Sequence, residues 1–263
     1  MDECNFPVHV LTKSTLIKRD IDILKKINKK NRTIVSFSFS SVDDEISAIF
    51  EPGVPPPSER LKTLTFFKNE GIACGMFFLP VIPFITDTPV LMEETIRKAS
   101  EARLDFIIFG GMTLKEDRQK DYFFKALRNK YPKLIGEYEN IYQKSKWGEA
   151  AGEYYHSINL TFNSIMKKYK IPPRIPLALY KDILEENDLV VVILEHIDYL
   201  LKLKGRTSPY GYAAHSISQL KEPLSSIKRE LKRINGVGKV TEKIILEILG
   251  TKNSSYYKKL LTE

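Results

Sequence analysis

Between residue 6 and about residue 130 the chain alternates short apolar runs with amphipathic stretches. Residues 8–11 (VHVL) read as a buried strand, and 15–29 as a helix in which Ile17, Ile21 and Leu24 recur at intervals of four and three. Residues 34–39, rich in β-branched and aromatic side chains, form the second strand. A loop with Pro52, Pro55, Pro56 and Pro57 leads to Ser58, placed as the N-cap of a helix bearing Leu61 and Leu64. Gly71 ends that helix because it adopts a left-handed conformation at little cost. Residues 72–81 give the third strand, Thr88-Pro89 caps a third helix with Leu91, Thr95 and Ala99 on one face, and 106–109 give the fourth strand before Gly110-Gly111.

Continuous apolar strands separated by helices predict a parallel sheet, whose strands need crossover connections and are buried on both faces. Four βα units of near-equal period look like half of an eight-unit barrel, with an open four-strand sheet as the alternative. The expected fold class is therefore α/β, a partial TIM-type barrel, with a helical extension and a small all-α C-terminal domain. Strand 8–11 has few residues ahead of it, and its open edge is expected to pair with something absent from the chain.

Residues 115–204 read as helical, rich in Tyr and Lys, and are broken by IPPRIP at 171–176 before an apolar helix over 189–203. Gly205, Pro209 and Gly211 mark a linker. The expected divisions are 1–135, 136–204, a linker over 205–222, and a terminal module over 223–263. In that module Leu224, Ile227, Leu231 and Ile234 make one helical stripe. The turn Ile234-Asn235-Gly236-Val237-Gly238 follows, and then a helix with Val240, Ile244 and Ile248.

Charge changes the picture at this end only. The formal net charge is +8, and residues 201–263 hold 13 Lys or Arg against five acids, so the whole excess sits there. A localised positive field attracts a polyanion, because each neutralised phosphate releases counterions. No apolar run approaches the ~20 residues a membrane span needs, and MDECNFPVHV lacks the basic flank and apolar stretch of a signal peptide. The two cysteines, Cys4 and Cys74, are far apart, so no thiolate metal site is expected from this chain alone. The expectation is a soluble cytoplasmic protein.

The turn INGVGKVTEKI resembles the helix-hairpin-helix module of DNA-repair proteins, in which a G-h-G turn joins two short helices. Gly236 and Gly238 would expose backbone N–H groups where the helix dipole favours an anion, and Arg233, Lys239 and Lys243 would flank a bound phosphate. Such contacts position DNA and read no bases. Asn235 stands where the motif often has Pro, and Glu242 puts a carboxylate near the phosphate site.

At the other end, three strand ends carry polar residues: Thr12-Lys13-Ser14, then Ser36, Ser38 and Ser40, then 80–87. Ligands of parallel α/β folds bind at the carboxyl ends of strands. A Lys and a Ser there would hold the carboxylate and hydroxyl of a small zwitterion, with Glu51, Arg60 and Asp87 reaching its amino or ribose groups; the alternative is that these residues cap helices and Lys13 is solvated. His9 reads as a hydrogen-bonded core residue over a ligand, Asp43-Asp44-Glu45 as a helix start over a metal cluster, and Trp147 with Tyr138, Tyr142, Tyr154 and Tyr155 as helix packing, with a base-stacking platform as the alternative.

VHVLTKSTLIKRDIDIL, SFSFSSVDDEISAIFEPGVPPPSERL and NEGIACGMFFLPVIPFITD together resemble the second half of a radical S-adenosylmethionine barrel of the spore photoproduct lyase-like (DNA repair photolyase-like) branch, over roughly residues 6–135. The resemblance implies that Lys13 and Ser40, or Ser38, contact S-adenosylmethionine and that Pro80 to Pro83 line its adenine side. The family's C-x-x-x-C-x-x-C loop, which ligates a [4Fe–4S] cluster, has no counterpart in this chain, and about four donors are needed. The cluster half would come from a separately encoded N-terminal half, or the chain is a degenerate relative kept for DNA or partner binding, or a shortened form of a longer protein. The implied chemistry is hydrogen abstraction from a thymine lesion in DNA.

Overall fold

The computed structural model of the protein describes residues 3–4, 6–142 and 147–262. These divide into two compact units, residues 1–179 and 180–263. Among the described residues no helix is long and apolar enough to cross a membrane.

The first unit is built on a four-stranded parallel sheet, β1 (Val8–Thr12), β2 (Thr33–Phe39), β3 (Ala73–Val81) and β4 (Phe106–Gly111), in sequential order β1-β2-β3-β4. The intervening helices are α1 (Ile21–Lys30), α2 (Asp44–Phe50), α3 (Pro57–Asn69) and α4 (Pro89–Glu101); α5 (Arg118–Lys130), α6 (Ile135–Tyr142) and α7 (Gly152–Tyr169) follow β4. Period-2 alternation sends Val35, Phe37, Phe39, Cys74, Met76, Phe78 and Ile107 to one face. There they meet Leu24 of α1, Leu64 and Phe67 of α3, Met92 and Ile96 of α4, and Phe162 of α7 in one buried core.

The other face carries a different chemistry. In register, Leu11 lies beside Ser36, Gly75 and Phe106, and Ser38 lies beside Phe77 and Ile108. Its β1 end is open: His9 is exposed, and Leu11 is 48% exposed. His9 does bond to Ser36 (Nε2 to Oγ, 2.9 Å), but it is not a core residue. The expectation of strands buried on both faces therefore fails at β1, an edge strand. A second core closes the carboxyl ends of β3 and β4, where Ile82, Ile85, Met112 and Leu114 pack with Phe123, Phe124 and Leu127 of α5 and Tyr138 and Tyr142 of α6.

Local details depart from the sequence pattern in informative ways. Residues Thr15–Asp20 are a 3₁₀ turn, and the α-helix starts only at Ile21. Pro56 is the N-cap of α3 with Pro57 at its first position; Ser58 sits inside the helix, and its hydroxyl donates to Asp44 (2.6 Å). The pre-set φ of proline serves the first turn better than a serine cap. Asp43 caps α2, accepting from the Ile46 amide (2.9 Å), and Thr88 caps α4.

The second unit contains α8 (Glu186–Leu203), α9 (Tyr210–Ser218), α10 (Lys239–Thr251) and α11 (Ser255–Thr262). The linker expected over 205–222 is corrected: it contains α9, which packs on α8 and buries Tyr210, Ala213, Ala214 and Ile217. The Gly and Pro that suggested a linker are its boundary signals. The compact units divide at 179/180, so the helical stretch assigned to 136–204 is shared between them. The first helix expected before the hairpin turn is two 3₁₀ segments, Leu224–Ile227 and Leu231–Arg233.

Candidate functional site

At the strand ends of the first unit, Lys13 Nζ donates to Glu51 Oε1 (2.6 Å), and the other Glu51 oxygen accepts from Arg60 Nη2 (2.5 Å). Arg60 is fully buried. Its Nε donates to the Pro55 carbonyl (2.6 Å) and its Nη1 to the Ser38 carbonyl (2.8 Å). One guanidinium thus ties the end of β2, the proline loop and the carboxylate of the EPG run together, as its planar fork of donors allows. Burial alone would raise the Glu51 carboxyl, but hydrogen bonds and charge from Lys13 and Arg60 outweigh it and hold it below its ordinary value.

The predicted residues fare unequally. Lys13, Glu51 and Arg60 come together, with Ser38 joined through its carbonyl. Both Glu51 oxygens are occupied, so Glu51 anchors Lys13 and Arg60 is structural. Ser40 is buried, and its hydroxyl has no hydrogen-bond partner among the described residues. Asp87 accepts from the Tyr154 hydroxyl (2.7 Å). Pro80 lines a cleft of ≈ 360 Å³ at the ends of β3 and β4, with Phe50, Met112, Arg118 and Tyr122 among its walls.

Cys4 is exposed and Cys74 buried, with burial pushing the Cys74 thiol up to about 12. Among the described residues no three His, Cys, Asp or Glu side chains gather as metal ligands.

In the second unit the hairpin turn leads from Leu231–Arg233 into α10. Val237 N–H donates to the Ile234 carbonyl (3.0 Å), closing the turn. The two glycines have separate reasons. Gly236 has φ +84°, and a Cβ there would lie 2.8 Å from the Tyr212 ring and 2.9 Å from the Ala213 nitrogen of α9. Gly238 has an ordinary extended backbone and nothing within 4 Å of an added Cβ, so no neighbour within the protein demands a glycine there.

Gly238 is the N-cap of α10 and brings no side chain to it, so the first-turn amides are left without an intrahelical partner on an exposed surface. Lys239 and Lys243 are exposed beside them, and so is Val240 at 63%, which the helical stripe had placed inward. Arg233 is exposed and pairs with Glu230 (2.6 Å). Lys232 pairs with Glu242 (3.1 Å), which offsets the carboxylate nearest the turn.

Sequence reasoning missed Asp198. It lies buried in α8 and accepts from Ser208 Oγ (2.6 Å), with Lys202 at 2.6 Å and the Gly211 amide at the start of α9. Burial alone would raise this carboxyl, but those partners hold it below its usual value. The S-P-Y-G run was its signal, since Gly211 leaves no room for a Cβ against the carboxylate (2.9 Å).

Residues 185–254 match the helix-hairpin-helix domain family. The chain is 25% identical over 141 residues to the uncharacterized protein Rv2578c of Mycobacterium tuberculosis, covering 54% of this chain and 41% of that protein. It is 26% identical over 124 residues to the uncharacterized protein ORF301 of Acidianus two-tailed virus, covering 46% and 40%. The uncharacterized protein MJ0683 of Methanocaldococcus jannaschii is 26% identical over 149 residues, covering 57% and 52%. This chain spans less than half the length of the first two relatives, and no solved structure matches it. The structure is thus a mixed α/β chain, and the family match places a helix-hairpin-helix domain at residues 185–254.

Proposed function

We propose that the chain is the cofactor-facing and DNA-binding part of a radical S-adenosylmethionine, spore photoproduct lyase-like protein acting on DNA. The observation that carries this reading is the one-sided sheet. Strands in sequential order, with their crossover helices packed on one face, follow the winding of a βα-barrel wall, whereas a doubly wound sheet has helices on both faces. The exposed His9 and Leu11 and the edge position of β1 would then face the barrel interior and a further βα segment, supplied by a separately encoded N-terminal half.

S-adenosylmethionine fits the strand ends in part. Lys13 would hold its carboxylate, with Glu51 fixing the ammonium in place, and the unpartnered hydroxyl of Ser40 would find a partner in a ligand polar group. Pro80 to Pro83, at the end of β3, would take the adenine side. When bound at a [4Fe–4S] cluster, this cofactor supplies hydrogen abstraction. The cluster itself does not fit these residues: one cysteine is buried with a high-pKa thiol, the other is distant in sequence, and among the described residues no donor set gathers around either. Its ligands would have to come from the other half.

The hairpin of the second unit would grip the duplex backbone through the α10 amides, Gly238, Lys239 and Lys243. The alternative is a non-catalytic DNA-binding or scaffold protein of the same descent. Anaerobic reconstitution with iron and sulfide, together with a genomically adjacent partner that carries a C-x-x-x-C-x-x-C loop, separates the two. Cluster absorbance and cofactor cleavage support the enzyme; duplex binding without either supports the scaffold.

A further inference from the structure

The segment leaving β4 is ringed by exposed aromatic side chains. Tyr155 is 40% exposed, and a Cβ on Gly111, the last residue of β4, would lie 2.5 Å from its ring, so the ring lies directly over that glycine. Trp147 is 63% exposed, and Lys115 Nζ lies 5.1 Å from its ring centroid. Tyr122 is 51% exposed and forms a wall of the cleft beside Arg118 and Gln119. Tyr138, Tyr142 and Tyr154, by contrast, turn their hydroxyls inward to Pro83, Met112 and Asp87.

The segment 147–149 is tied to the exit of β4 by main-chain contacts. Leu114 N–H donates to the Gly148 carbonyl (2.6 Å), and Thr113 bridges Glu149. Gly148 has φ +72°, and a Cβ there would lie 2.3 Å from the Leu114 and Lys115 backbone. The close approach that only glycine permits thus sets the indole beside Lys115. Exposed rings with interleaved cations suit bases and phosphates of an unpaired strand, since every base offers a π-face and the backbone is anionic.

We propose that the segment leaving β4 is a binding platform for single-stranded nucleic acid, in which Trp147, Tyr122 and Tyr155 stack bases while Lys115 and Arg118 contact phosphates. It deepens the nucleic-acid reading above by assigning an unpaired strand to the first unit, a role separate from the duplex grip of the hairpin.

Trp147 is the single tryptophan of the chain and reports on itself. Titration of the full chain with a short oligothymidylate is expected to quench its fluorescence strongly. An abasic sugar-phosphate strand of equal length should bind weakly and leave the emission nearly unchanged. Tyr122→Ala and Tyr155→Ala should each weaken oligothymidylate binding by about tenfold, within the range of one lost base–aromatic contact. Because Lys239→Glu/Lys243→Glu disables only the hairpin, that variant should lose duplex affinity and keep the quenching. Unchanged emission with oligothymidylate, or equal quenching by the abasic strand, overturns the platform even where the wild-type chain binds duplex. Loss of duplex binding with quenching intact instead isolates the hairpin.

Discussion

Both candidate regions gather positive side chains, but they leave them in opposite states. At the strand ends of the first unit Lys13 and Arg60 close on Glu51, and the Arg60 guanidinium is fully buried. At the hairpin of the second unit Lys239 and Lys243 stand in solvent beside unpaired helix amides. A desolvated charge cluster holds loops in place and is costly to break, whereas an exposed one adds little to stability and remains available to an anion. The same residue types thus build a rigid floor in one unit and a contact surface in the other.

The sharpest way to break this contrast is Arg60→Met. It leaves Glu51 buried with one partner fewer and frees the Pro55 and Ser38 carbonyls, so unfolding free energy should fall by about 3–5 kcal/mol, read from urea midpoints. The hairpin charge reversal Lys239→Glu/Lys243→Glu should leave the urea midpoint nearly unmoved. Its effect should appear in duplex affinity, with the slope of log K against log salt shallower by about two units if both lysines meet phosphates.

The two hairpin glycines sharpen the comparison further. Gly236→Ala forces a positive φ and a clash with α9, and should cost about 1–3 kcal/mol of stability. Gly238→Ala meets open space and should fold as the parent does while binding duplex more weakly, since its Cβ stands where a phosphate would approach. Equal destabilisation by the two would remove the distinction.

The smallest effect is in pH dependence. Glu51 has a carboxyl lowered in the folded state, so its stabilisation is fully present above the ordinary value of 4.5 and is lost as pH falls through the lowered one. Lys13→Met should reduce that acid-dependent loss, because one of the two groups that lower the carboxyl is gone. Urea midpoints followed from neutral to acid pH measure the difference.

The strands and most helices were legible because their signals are local: β-branched runs, the Thr88-Pro89 start, Gly71 with φ +76° after α3. The hairpin turn was legible for the same reason. Arg60 and Glu51 were not legible as partners, since spacing along the chain does not report which charges are desolvated together. Trp147 looked like helix packing until its 63% exposure placed it on the surface. The supposed linker failed because a helix held by Asp198 of another helix starts with the same Pro and Gly that mark a loop.

Residue order alone therefore settled the βα alternation, the helix-hairpin-helix motif and the concentration of positive charge at one end, all of which depend on neighbours within a few turns of chain. Tertiary structure decided which sheet face is covered, which cations are paired, and why each glycine of the turn is a glycine. Those outcomes depend on solvent exclusion and on contacts between segments far apart in sequence, and only the folded packing specifies them.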